Sequence, residues 1–198
     1  MIKSMKIKLS GGEFEIVRGT DFSVTSDNLA HLIYEEKGVW HVISDPCKGK
    51  YAKTVITLPY QHIFSDIYIE MSDGTLNICD IICDNFEIRI NGASLTAQTI
   101  HSQNLYLSAS KADVHINADS VMTDIDCGYG CVTMNFKSYS FGYKITSKCG
   151  MGNVSLNSVV LPKRYVSDMG ERRINVICGM GNVHINGAVA FSADRSKA

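Results

Sequence analysis

The phrase "CGMGNVSLN" (Cys149–Asn157) returns as "CGMGNVHIN" (Cys178–Asn186), and a looser copy, "CGYGCVTMN" (Cys127–Asn135), precedes both. Repetition of this kind confines a chain to architectures in which one short unit buries its apolar face by stacking on the next. Val132, Val154 and Val183 mark the copies, and stepping back 18 or 19 residues at a time from Val132 reaches Val114, Leu95 and Leu76. Two residues beyond each marker stand Ile78, Ala97, Ile116, Met134, Leu156 and Ile185, all apolar, whereas the residues between are Asn77, Thr96, His115, Thr133, Ser155 and His184. Alternation of period two is a strand with one buried face.

A second strand aligns upstream of each marker. Its inward positions run Ile67, Phe86, Leu105, Thr123, Ile145, Ile174, and four residues later Met71, Ile90, Ala109, Cys127, Cys149, Cys178. Between the two strands one column is small throughout (Gly74, Ala93, Ala112, Gly130, Gly152, Gly181), as a tight corner requires. Asn117, Asn135, Asn157 and Asn186 follow the second strand and are placed to form an amide ladder. The expectation is an all-β, single-stranded parallel β-helix of about six coils, stacked about 4.8 Å apart. Its solenoid spans residues 54–191, and residues 192–198 form a tail. Residues 1–53 fall outside the register and read as short antiparallel strands, one pair turning at Glu36-Lys37-Gly38. They would cap one open end within the same domain, and "GAVAFSA" (187–193) would close the other.

Composition narrows the function. A formal net charge of −1 supplies no field for nucleic acid, so no nucleic-acid partner is expected. No apolar run approaches the roughly 18 residues that span a bilayer, and the first residues alternate instead of forming a signal core. The seven cysteines lack the pattern of a disulfide scaffold. Cys79/Cys83 and Cys127/Cys131 are pairs without the second half that zinc needs, so neither metal nor cofactor is expected. Cys127, Cys149 and Cys178 would point inward on three successive coils, close enough to bond but read as core packing.

Three surface features carry candidate function. Asp124 and Asp126 lie on the outer face of one strand, at a separation that suits paired carboxylates of a glycan hydrolase or lyase. The plainer reading is a solvated face on which Glu70 pairs with Arg89 and Asp126 with Lys148. The corner residue between the glycines runs Asp73, Gly92, Lys111, Tyr129, Met151, Met180, so Tyr129, Met151 and Met180 form an exposed apolar stripe suited to contact. The long step from Val154 to Val183 holds "LPKRYVSDMGERR", which gathers Lys163, Arg164, Arg172 and Arg173 around Tyr165 as a possible acidic-partner site.

The stretch "TVITLPYQHIFSDIYIEMSDGTLNI", the degenerate coils after it and the closing "CGMGNV" phrases resemble the bacterial putative-adhesin family of β-solenoid domains, a domain of unknown function. The resemblance covers about residues 11 to 190, carried by Leu58-Pro59, the Asp73-Gly74 corner and the repeated Gly-Met-Gly-Asn. It implies a right-handed helix, the hand that parallel crossovers prefer, and no established enzymatic activity. The expected function is a non-catalytic adhesin-like binding or scaffolding module with a protein or glycan partner. The alternatives are a carbohydrate-active enzyme using Asp124 and Asp126, and a docking domain of envelope-stress signalling. The resemblance suggests the cell envelope, with the cytoplasm as the alternative, and self-association through solenoid ends or edges.

Overall fold

The computed structural model describes residues 2–27, 31–44, 53–137, 142–167 and 170–188. Among them there is no helix. The strands are β1 (Ser4–Ser10), β2 (Glu13–Gly19), β3 (Ser23–Ser26), β4 (His31–Glu36), β5 (Val39–Ser44), β6 (Lys53–Pro59), β7 (Phe64–Phe136), β8 (Tyr143–Cys149), β9 (Asn153–Leu156), β10 (Val159–Val160), β11 (Arg164–Val166), β12 (Arg172–Cys178) and β13 (Asn182–Asn186). All belong to one curled sheet. β7 is 73 residues of extended chain whose corners let it pass over itself: Asn85 donates to Asp66, Asn104 to Asn85 and Asn135 to Asn117, each 18 or 19 residues on.

The inward columns form the core. Ile7, Ile69, Ile88, Leu107, Ile125 and Val176 are all at most 2 % exposed, as are Leu76, Val132, Val154 and Val183. Each such side chain contributes about 1.5–3 kcal/mol on burial, and stacking like on like lets neighbouring turns share that face. The small corner column has a steric cause at its C-terminal end. A Cβ on Gly152 would collide with the Gly181 carbonyl, and one on Gly181 would stand 2.6 Å from Cys127 Sγ and 2.7 Å from the Gly130 carbonyl. The polar exception Thr123 is buried but shares a 2.5 Å hydrogen bond with Ser120. Ser147, also buried, has no hydrogen-bond partner among the described residues.

The order of the rungs differs from the order of the sequence at both ends. β12 pairs in parallel with residues 122–127 of β7 on one side and with β8 on the other, so Ile174 faces both Thr123 and Ile145. β13 likewise lies between residues 131–135 and β9, with Val183 opposite Val132 and Val154. The expected columns are present, but the last rung sits between its two predecessors, and the cysteine column runs Cys127, Cys178, Cys149. The amide ladder is re-ordered accordingly. Asn186 donates to Asn135 at 3.0 Å, whereas Asn157 turns to the backbone, donating to the Ala188 carbonyl and accepting from the Gly187 amide.

The N-terminal segment does not stay out of the register. β1 pairs in parallel with residues 66–72 of β7, and β2 with residues 75–78, so Ile7 continues the Ile69 column and Phe14 the Leu76 column. β5 and β6 then pair in parallel with the outer sides of β1 and β2. Only β3 and β4 are antiparallel additions, to β6 and β5. The β4–β5 turn is where expected, with Lys37 and Gly38 both at positive φ. At the opposite end β11 on β8 and β10 on β9 are the antiparallel cover. Of "GAVAFSA", Gly187 and Ala188 follow the interposed β13, and residues 189–193, on which the expected closure rests, lie outside the described residues.

Candidate functional site

The C-terminal corner brings the stripe together. The Met180 amide donates to the Gly128 carbonyl at 2.9 Å and the Met151 amide to the Gly179 carbonyl at 2.9 Å, so the stripe runs Tyr129, Met180, Met151. These side chains are 56 %, 55 % and 77 % exposed.

Basic residues adjoin the stripe. Lys163 Nζ donates to the carbonyl of Gly152, next to Met151. Lys163 and Arg164 lead into β11, whose Tyr165 is half-buried against the core edge opposite Ser147. Lys148, Cys149, Lys163, Arg164, Ile177 and Cys178 line a groove of about 300 Å³. An apolar strip beside three cations suits an acidic chain that also carries apolar side chains.

The arginines of the long step are not part of this surface in one piece. Arg172 and Arg173 open β12, where Arg172 donates to Asp119 Oδ1 at 2.9 Å and to the Ser120 carbonyl at 3.0 Å. Asp119 Oδ2 also lies 3.4 Å from His101 Nδ1. Arg172 thus ties β12 to the preceding rung, while Arg173 remains exposed. The step itself is not a simple excursion, because β10 and β11 within it fold back as cover.

Asp124 and Asp126 both face outward and are exposed, and Asp124 Oδ1 accepts from Asn175 at 2.7 Å. The inverted rung order puts Ile177 between Asp126 and Lys148, so the expected ion pair does not form. Glu70 pairs with Lys8 at 3.0 Å, and Arg89 with Glu87 at 2.7 Å on its own strand. The hydrogen bond from Lys8, against a smaller opposing effect of burial, holds Glu70 below the usual carboxylate range. Sequence reasoning missed the groove of about 380 Å³ beside this pair, where Lys8, Glu70, Arg89 and several serines meet. Its signal was the serine recurring at positions 10, 72 and 110, obscured while β1 was read as outside the stack. Among the described residues no group of three or more His, Cys, Asp or Glu is arranged to hold a metal ion.

The family described as "Toastrack DUF4097" matches residues 2–165, most of the chain. The chain belongs to this family. Toastrack DUF4097 is a domain of unknown function, so membership places the fold and leaves the ligand open. Two solved structures are similar to this Toastrack chain. One is a putative cell adhesion protein from Clostridium sporogenes, 14 % identical, covering 93 % of this chain and 92 % of its own, with a TM-score of 0.45. The other is a putative adhesin from Bacteroides fragilis, also 14 % identical, covering 93 % and 91 %, with a TM-score of 0.33. No curated protein matches the Toastrack chain. Among the described residues no helix is long and apolar enough to cross a membrane.

Proposed function

We propose that this Toastrack domain is a non-catalytic binding module whose working surface is the C-terminal corner, and that its partner is an acidic protein segment with apolar side chains. The observation that carries the reading is the contiguity of Tyr129, Met180 and Met151 with Lys163 and Arg164. Flexible methionines beside an aromatic ring give an adaptable contact, and the cations give it charge selectivity. The proposal takes the sheet as one right-handed coil, the hand preferred by parallel crossovers. Arg172 is assigned to the scaffold instead of the interface.

The test is a native pull-down with the wild-type protein and a Met151→Lys, Met180→Lys double variant. The expected result is a retained protein that is released by salt and absent from the variant, with melting temperature unchanged because both side chains are exposed. Retention of the same protein by the double variant would overturn the assignment. Asp126→Asn should leave any glycan hydrolysis assay where wild type leaves it, at background; turnover by wild type that disappears in this variant would favour an enzyme.

A further inference from the structure

The cysteine column ends at the surface. β12 and β8 pair in parallel with Cys178 opposite Cys149, which sets their Cα atoms about 4.8 Å apart, within the range that a disulfide spans. Cys178 Sγ donates to the Gly181 carbonyl at 3.0 Å. They differ in access: Cys178 is 2 % exposed, whereas Cys149 is only partly buried, at the outer edge of the core. Both line the groove that Lys148, Lys163 and Arg164 make positive. Both cysteines are free thiols.

We infer that Cys149 and Cys178 form a peroxide-reactive dithiol, with Cys149 the residue that attacks the peroxide and Cys178 the resolving residue, set in a cationic groove at the C-terminal end of the stack. In the first step the Cys149 sulfur attacks one oxygen of a hydroperoxide and the O–O bond breaks. The sulfur keeps that oxygen as a sulfenic acid, and the other oxygen leaves as water or alcohol after taking up the thiol proton. The groove cations stabilise the negative charge that develops on the departing oxygen. In the second step the Cys178 sulfur attacks the Cys149 sulfur, the S–O bond breaks, and the hydroxyl leaves as water with the Cys178 proton. The two thiols lose two electrons and two protons, and the peroxide accepts them.

Burial, with the neighbouring Cys149 thiol, pushes the Cys178 thiol up to about 12, and burial also pushes Cys127 up, so neither is a competent first nucleophile near neutral pH. Once Cys149 is a sulfenic acid, proximity replaces nucleophilicity as the controlling factor for Cys178. The bond closes the segment 150–177, which contains β9, β10 and β11, into a ring stapled to the interposed rung.

The experiment treats the reduced full-length protein with hydrogen peroxide, blocks remaining thiols and maps peptides without reduction. The expected product is a Cys149–Cys178 link, two hydrogens lighter than the dithiol, formed by wild type and by Cys131→Ser. Cys149→Ser should abolish the link, and so should Cys149→Ala if the serine variant fails to fold. Before oxidation, iodoacetamide should label Cys149 and leave Cys178 unlabelled. A Cys149 that accumulates as an unlinked sulfinic acid, a Cys127–Cys178 link that forms equally well without Cys149, or equal labelling of Cys149 and Cys178 would each overturn the inference.

Discussion

Gly181 shows how one residue carries the architecture. Its φ is not in the left-handed region, so its requirement for glycine is steric: the rung below presents Cys127 Sγ and the Gly130 carbonyl to any added methyl group, and the rung above presses Gly152 against its own carbonyl. Gly181→Ala should therefore destabilise the protein by about 1–3 kcal/mol, the usual cost of overpacking, measured by urea unfolding. Gly128→Ala, whose added methyl group would meet nothing closer than 3.8 Å, should cost clearly less. The sequence made this column visible, because glycine or alanine at six aligned positions has no other economical explanation. It did not reveal Gly12 as a further member, packed against Gly74. "KIKLSGGEFEI" repeats the pattern of "YIEMSDGTLNI" position for position, but 62 residues separate them, several times the period, and the likeness was lost.

Elements differ in how firmly they are held. Among the described strands β4 pairs with β5 alone and exposes Leu32, Ile33 and Tyr34, and His31 ties its first position to β6 and β2. His31 Nε2 shares a 2.9 Å hydrogen bond with Thr54, its ring meets Phe14 edge-on, and Nδ1 is buried with no partner among the described residues. Burial holds its pKa below the ordinary histidine value of 6.5, which means the unfolded chain binds the proton more readily than the folded one. The contribution of His31 is then fully present above about pH 6.5 and is lost as the pH falls through the lower folded value. Amide exchange in β4 should accelerate, relative to intrinsic rates, as the pH is taken from about 7 to 5, and His31→Gln should remove that dependence. β12 is held differently, by Arg172 on Asp119. Arg172→Ala should cost about 1.5–3 kcal/mol, the range for hydrogen bonds to charged groups, while Arg173→Ala changes the melting temperature little. The columns could not distinguish these two arginines, since the residue that engages Arg172 lies 53 positions earlier, outside the aligned strands.

At the scale of the whole molecule, the two ends obey one rule. The outermost parallel rungs are made by β5 with β6 and by β8 with β9, while the first and last strands among the described residues lie one place further in. Column alignment is blind to this, because Cys149 and Cys178 satisfy the same position equally well whichever is outermost. The consequence is testable. β8 reaches the rest of the sheet only through β12 among the described strands, and β9 only through β13. A chain ending at Gly170 should lose exchange protection throughout residues 142–167 as well as lacking the removed strands, so the loss is more than one rung. Protection retained in β8 would show that it can dock directly on β7.

The interposed terminal strands also govern how the molecule would answer a mechanical load. In a stack built in sequence order, tension on the termini peels one rung at a time, breaking a few hydrogen bonds at each step. Here β1 is gripped between β5 and β7, and β13 between β9 and β7. Pulling on either terminal strand must shear two ladders together before anything can unwind, which makes each end of the coil a clamp.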